Sequence, residues 1–228
     1  EGTHAFVAGP GSLWSHTDEL YVGAGGSGNS LDIDQGGTVY VGPGWDGSAT
    51  YIGRSGSNNT VVVSGLGSLL NTPRQLYVGY GGSGNSLLIT NNGAGTASGL
   101  TIGVETGSVS NVVNVSGGTL VVTNGTGNAV LEVRQGSLSV VDGTVLADKF
   151  VLTNALGELH LAGALITRGG VLNQGTNAMV IGDVPGKASD WTVNGGSYTL
   201  QAQQIVVGGA SGATGVISVL QGNLVLSG

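Results

Sequence analysis

Residues 20–31 read LYVGAGGSGNSL, and residues 76–87 read LYVGYGGSGNSL, which is the same segment with Tyr80 in the place of Ala24. The match continues upstream at the same offset of 56 residues, where residues 9–13 (GPGSL) and 65–69 (GLGSL) agree at four of five positions. Repetition at a fixed period is the signature of a repeat architecture, in which each unit needs its neighbours to complete a core. The chain is therefore expected to be built from stacked units.

A shorter unit lies inside this long repeat. It begins with an apolar residue and a glycine, continues through a glycine-rich turn, and reaches an apolar strand eight or nine residues after that glycine. A second glycine then precedes another apolar pair, so one unit reads strand, turn, strand, turn, strand. Clear repeats cover residues 5–125 and 175–228, and residues 125–170 are interpreted as degenerate coils. The six copies start at Val22, Ile52, Val78, Ile102, Ile181 and Val207.

This pattern predicts an all-β fold, a single-stranded parallel β-helix of about 8–9 coils with roughly 24–30 residues per coil, continuous over residues 1–228. Alternating pairs such as Leu31 and Ile33, or Val61 and Val63, are expected to point inward. The same holds in the last two copies for the pairs Trp191 and Val193, and Ile217 and Val219. A sandwich or a propeller would need tighter hairpins or longer repeats. Right-handedness is taken from the general preference of parallel crossovers.

Three asparagines share one position in the first three coils, six residues after the first glycine of each coil. Stacking the coils would place Asn29, Asn59 and Asn85 in one column, so we predict a structural asparagine ladder along this turn. The alternative is that asparagine is simply common in turns. Ala188 and Thr214 occupy the position in later copies, which limits the predicted ladder to the first coils.

Composition narrows the classes of partner. Only 8% of the residues are charged and the net charge is −7, so no basic patch is available for nucleic acid. No apolar stretch approaches the length of a membrane span, and we expect no membrane insertion and no cofactor. The chain has no cysteine, which fits a protein that crosses an envelope unfolded. It begins without methionine and stops in mid-repeat at 224–228, which favours a fragment of a larger chain.

Residues 9–14 and 20–31 carry small-residue motifs that resemble the repeat associated with type V secretion (autotransporter) and PEP-CTERM proteins. Most of residues 5–125 shows this resemblance, residues 175–228 show it more loosely, and residues 125–170 hardly show it. Membership would imply a right-handed β-helix in the extracellular or surface-exposed passenger region of a bacterium. It would imply no catalytic residues.

The acidic residues offer candidate sites for catalysis and for calcium binding. Asp32 and Asp34 share an outward strand face, but the next long repeat has Leu88 and Thr90 there, so we predict a solvated surface and no catalytic residue. The glycine-rich turn resembles the calcium-binding nonapeptide but has Ser30 at the carboxylate position. The candidate calcium ligands are the surface carboxylates Asp32, Asp34 and Asp46.

These observations favour an extracellular structural stalk, or a β-helix that associates end to end into filaments, without enzymatic activity. The alternative is an adhesin that recognises a glycan or a host protein through an exposed aromatic strip. Packing in the core or at corners is the competing interpretation of the same aromatics. A polysaccharide-active enzyme is a third hypothesis, which a groove joining Asp32, Asp34 and Arg54 would support. The aromatics concerned are Trp14, Trp45, Trp191, Tyr21, Tyr40, Tyr51, Tyr77 and Tyr80.

Overall fold

The computed structural model describes residues 2–42, 44, 48–153 and 156–227, except for the side chains of residues 173–177 and 202–203. The described residues form strands and turns, with no helix among them. The strands are β1 His4–Ala8, β2 Leu13–His16, β3 Leu20–Val22, β4 Ser30–Asp34, β5 Thr38–Val41, β6 Ala49–Ile52, β7 Thr60–Ser64, β8 Leu69–Val78, β9 Ser86–Thr90, β10 Ala94–Ile102, β11 Asn111–Ser116, β12 Thr119–Val122, β13 Val130–Val133, β14 Gly136–Leu152, β15 Gly157–Ile181, β16 Ala188–Val207 and β17 Thr214–Leu226.

These strands stack in parallel as a β-solenoid of about 8 turns with about 26 residues per turn, which confirms the predicted all-β parallel architecture. Three faces run along the stack. The first begins with β1, β4 and β7, the second with β2 and β5, and the third with β3 and β6. From β8 onward one long strand often continues around a corner and contributes to two faces.

The core is made of apolar columns, one residue from each turn. On the first face Ile33 pairs with Val63, Val63 with Ile89, and Ile89 with Val115. All four side chains are fully buried, as the alternation of apolar and polar residues predicts. Burial of each such side chain contributes roughly 1.5–3 kcal/mol, so these columns stabilise the stack from turn to turn. The third face carries a column of Val22, Ile52, Val78, Ile102, Val133, Leu152, Leu172, Leu200 and Leu226.

The inward residues predicted for the later copies divide into two groups. Trp191 and Val193 are fully buried. Ile217 is partly buried against the core, and Val219 is 43% exposed. Both residues belong to β17, whose register pairing among the described residues is with β16.

Turn length varies more than the predicted range. The pairing of Ile33 with Val63 gives a turn of 30 residues, whereas the pairing of Val140 with Leu161 gives one of 21. The short turns belong to the segment interpreted as degenerate, and they lack the glycine-rich loop that follows the third face in the first turns. Loss of that loop lets the chain pass from one face to the next through a direct corner.

The loop returns at a different corner in the last turns. Val22 and Ile52 end strands of the third face. Ile181 has the same sequence context but lies on the first face, because the amide of the following residue, Gly182, donates to the Leu161 carbonyl of that face. Ile181 in turn pairs with Val207. The six sequence copies therefore occupy two different faces, because the short turns shift the sequence repeat relative to the structural one.

Candidate functional site: a tyrosine face held by an asparagine ladder

Three tyrosines occupy equivalent outward positions on the third face. Tyr21 of β3 pairs with Tyr51 of β6, which pairs with Tyr77 of β8. Each lies between inward residues of its strand, so the phenol rings point out and stack along the solenoid axis. The ring centroids are 5.0 Å apart with planes at 9° for Tyr21 and Tyr51, and 5.1 Å apart at 24° for Tyr51 and Tyr77. The stacked rings are half-buried.

Two residues from the adjoining loops complete this surface. The Tyr80 ring stands across the stack, with its centroid 5.7 Å from that of Tyr51 and 5.2 Å from that of Tyr77. The Arg54 guanidinium lies 5.5 Å from the Tyr21 ring centroid and 5.6 Å from that of Tyr51, a cation–π arrangement. It also donates a hydrogen bond of 3.2 Å to the Tyr21 hydroxyl.

The Tyr21 hydroxyl donates in turn to the Glu19 carboxylate. We call Glu19, Tyr21, Tyr51, Arg54, Tyr77 and Tyr80 the tyrosine face.

The environment keeps these phenols protonated. The hydrogen bond to Glu19, followed by burial, raises the pKa of Tyr21. Burial is the main cause that raises the pKa of Tyr51 and of Tyr77. Since an unperturbed phenol already titrates near pH 10, all three are neutral hydrogen-bond donors under ordinary conditions. Their faces are largely covered by one another, so the surface offers mainly ring edges and hydroxyls.

An asparagine ladder holds the loops from which Arg54 and Tyr80 project. The backbone amide and Nδ2 of Asn29 both donate to Asn59 Oδ1, at 2.9 and 2.8 Å. Asn59 makes the same pair of bonds to Asn85 Oδ1, each at 2.9 Å. Asn59 and Asn85 are fully buried, so the bonds between these two residues lie where a lost partner would be costly.

The ladder has a fourth rung that sequence reasoning missed. Asn85 donates from its amide and Nδ2 to Asn111 Oδ1, at 2.9 and 3.1 Å, and Asn111 Nδ2 donates to the Ser108 carbonyl at 2.8 Å. Asn111 follows Gly103 by eight residues, whereas Asn85 follows Gly79 by six. Counting back from the following strand would have identified this rung. Val113 pairs with Leu87, and Asn111 lies two residues before Val113, as Asn85 lies two residues before Leu87.

Glycine is required beneath each buried rung. A Cβ built on Gly53 would lie 2.2 Å from side-chain atoms of Asn85, and one built on Gly79 would lie 2.1 Å from Asn111. Both glycines also have positive φ, +75° and +73°, a region that side chains disfavour. In the first three copies, the apolar-glycine pair of the sequence therefore marks the position over which an asparagine of the next turn packs.

The acidic candidates lie away from the tyrosine face. Asp32 has its carboxylate 3.7 Å from the His4 ring, and Asp34 accepts a bond of 2.7 Å from the Gln35 amide. Both are on the first face, whereas Arg54 packs on the tyrosines, so the contacts found for Asp32 and Asp34 do not include Arg54. Asp46 lies outside the described residues. Across the described positions, no group of three or more acidic or histidine side chains is placed to hold a metal ion.

Two other polar clusters serve the later turns. Asp148 is fully buried and accepts hydrogen bonds from the backbone amides of Asn124 and Ala129, at 3.0 and 3.3 Å. Its Oδ1 lies 3.2 Å from Arg168 Nη1, and the two groups form an ion pair that lacks hydrogen-bond geometry. These contacts fasten the 123–129 loop beside a groove of about 540 Å³. His160 contacts two carboxylates at the surface.

The remaining aromatics divide between core and surface. Trp191 and Tyr198 are fully buried and meet edge to face at 5.1 Å, as expected for core packing. Trp14 is 38% exposed on the second face. Trp45 lies outside the described residues. The exposed strip therefore consists of tyrosines alone, and tryptophan contributes nothing to it within the described part of the chain.

Comparison with protein-family models, with curated proteins and with solved structures finds no match for this chain. The resemblance to autotransporter-associated repeats thus remains a prediction from the motifs. The described part of the chain contains no helix with the length and apolar character needed to cross a bilayer.

Proposed function

We propose that this chain is a non-catalytic, extracellular spacer of a bacterial surface or secreted protein, a stiff stalk that separates or displays other domains or stacks into filaments. The observation that carries the proposal is the continuity of the stack. The column from Val22 to Leu200 on the third face is buried throughout. With strands about 4.8 Å apart, eight turns extend roughly 40 Å along the axis.

The asparagine ladder and the tyrosine stack support a load-bearing role. The hydrogen bonds that link successive asparagines join one turn to the next, and the stacked tyrosines do the same outside the core. A force along the axis is expected to break such contacts turn by turn, because the strand pairings, the asparagine ladder and the tyrosine stack each join neighbouring turns. Low charge and the absence of cysteine agree with a segment exported before it folds.

The test is a single-molecule force measurement with handles near the two ends. A stalk should resist and then lengthen in steps, each releasing about 26 residues, or roughly 90 Å of extended chain. Asn85→Ala should lower the force of the steps from the first turns and leave the later ones unchanged. Smooth extension at low force, without steps, would contradict the proposal.

Electron microscopy over a concentration series separates the two forms of this role. Short rods of constant length at every concentration assign the chain to a stalk, whereas lengthening rods assign it to a filament subunit. Particles with neither form would count against both.

An adhesin is the second candidate, favoured by the tyrosine face. Tyrosine and arginine dominate binding hot spots because they combine apolar area with hydrogen-bonding groups. Mutual stacking covers most of the ring faces that a sugar would need, so this function ranks below the stalk. Binding of immobilised glycans and host surface proteins, compared between the wild type and Tyr80→Ser, tests it. Retention that Tyr80→Ser abolishes would favour the adhesin, and equal retention would exclude this surface.

A further inference from the structure

The tyrosine face brings phenols into the geometry of radical coupling. Tyr51 lies between Tyr21 and Tyr77 with ring centroids about one strand spacing away on either side. Parallel, in-register pairing fixes the three Cα positions opposite one another, so the rings meet at high effective concentration. Tyr21 and Tyr77 are two turns apart and cannot meet directly.

Chemical surroundings favour oxidation at this surface. The chain has no cysteine, and its one methionine, Met179, is 1% exposed, so no thiol and no accessible thioether competes for an oxidant. The stacked tyrosines are partly exposed. The Glu19 carboxylate accepts a hydrogen bond from the Tyr21 hydroxyl, so it is placed to take the hydroxyl proton when the phenol loses an electron.

We propose that the tyrosine face is a site of oxidative cross-linking, in which Tyr51 couples to Tyr21 or to Tyr77 and forms a dityrosine between adjacent turns. The oxidant is hydrogen peroxide, and a haem peroxidase catalyses the oxidation. Each phenol gives up one electron and its hydroxyl proton, and peroxide takes both electrons and both protons to become two molecules of water.

The two radicals then join through ring carbons next to the hydroxyls. The hydrogen on each joined carbon moves to the phenolic oxygen, which restores both aromatic rings and both hydroxyls. The product has lost two hydrogen atoms. The bond is a covalent staple between turns, in a chain that has no disulfide. This inference depends on the ring geometry and not on the proposed spacer role.

The experiment treats the dilute, folded chain with peroxidase and hydrogen peroxide, then isolates the monomer and digests it with trypsin. The cleavage sites nearest these tyrosines are Arg54, Arg74 and Arg134, so Tyr51 falls in peptide 1–54 and Tyr77 in peptide 75–134. Coupling of Tyr51 to Tyr77 joins these two peptides with the loss of two hydrogens. Coupling of Tyr21 to Tyr51 leaves peptide 1–54 two hydrogens lighter.

Matched variants test whether the stacked tyrosines are responsible for the cross-links. Tyr51→Phe keeps the stacked ring but removes the central phenol, and both products should fall to the level of untreated protein. Tyr40→Phe, which alters a tyrosine on the second face, should leave both products unchanged. The same treatment in concentrated denaturant should abolish them.

Three results would overturn the inference. They are dityrosine found only in dimers, joined peptides that persist in Tyr51→Phe, and equal yields from the folded and the unfolded chain. Because the readout is a mapped bond in the monomer, failure of the cross-link leaves the spacer proposal to its own force measurement.

Discussion

The hydroxyl of Tyr198 bonds to both backbone groups of Phe150, two turns away. It accepts a hydrogen bond from the Phe150 amide at 2.9 Å and donates to the Phe150 carbonyl at 3.2 Å. Gly170 lies between them in register. A Cβ on Gly170 would stand 1.8 Å from that carbonyl oxygen, so the phenol reaches Phe150 only because the intervening turn has no side chain there.

This relationship predicts two different losses of stability. Tyr198→Phe should lower the free energy of unfolding by about 1–3 kcal/mol, because it removes the hydroxyl that bonds to two buried backbone groups. Gly170→Ala should cost about 3 kcal/mol or more, since its methyl group collides with backbone. Denaturant titration gives the free energies, and hydrogen exchange of the Phe150 amide should accelerate in Tyr198→Phe.

The control is Tyr40→Phe, which removes a hydroxyl from an outward position and should change the free energy by less than about 0.5 kcal/mol. If Tyr198→Phe proves as stable as Tyr40→Phe, and the Phe150 amide exchanges at the same rate in both variants, the Tyr198 hydroxyl does not form the expected hydrogen bonds with the Phe150 backbone.

The asparagine ladder predicts a graded response along its rungs. Asn85→Ala removes an acceptor of two bonds and a donor of a third inside the core, and should cost about 2–4 kcal/mol. Asn29→Ala should cost less, because Asn29 is only partly buried and water can replace its contacts. The comparison is made by chemical denaturation of the two variants under one condition. Equal losses would show that burial does not set the strength of the ladder.

Sequence reasoning predicted local features well because a solenoid repeats them. The alternation in β4, β7 and β9 is a property of each strand alone, and it correctly predicts which residues point inward. Asn29, Asn59 and Asn85 share a sequence offset, and the structure stacks them. Asn111 escaped because its loop is two residues longer, so a fixed offset from Gly103 points to Val109 instead.

The remaining features depend on which turns become neighbours, and spacing alone does not decide that. The short turns after Val140 carry no glycine-rich loop, so the sequence motif at Ile181 returns on the first face and not the third. The bond between Tyr198 and Phe150 crosses two turns and needs Gly170 in register. Tyr21, Tyr51 and Tyr77 each directly precede the start of a copy, so their shared face could be predicted from the sequence, whereas Tyr80 joins them from a loop.

A further prediction concerns glycine beneath the ladder. Gly53→Ala should destabilise the chain by roughly 2–4 kcal/mol, because the methyl group would displace Asn85 and because φ is +75° there. Gly25→Ala is the matched control in the preceding glycine-rich loop. A Cβ on Gly25 meets nothing within 4 Å, and its φ is not in the left-handed region. Thermal denaturation of both variants tests this contrast, and equal melting temperatures would contradict it.

Stability should also fall at alkaline pH. Burial raises the pKa of Tyr198 well above its ordinary value of 10.0, and burial also raises those of Tyr51 and Tyr77. Between the unfolded and folded pKa values the unfolded chain has lost protons that the folded chain still holds. The free energy of unfolding is therefore constant with respect to these groups below about pH 9 and decreases as the pH rises through 10.

Tyr198→Phe removes the most buried of these phenols, so its stability should decline less steeply than that of the wild type above about pH 10. Denaturant titrations in steps from about pH 8 to pH 11 measure the slope, with Tyr40→Phe as the reference. Parallel slopes in Tyr198→Phe and Tyr40→Phe would mean that the alkaline loss arises elsewhere. A flatter slope in Tyr198→Phe alone would assign it to the phenol that spans Gly170.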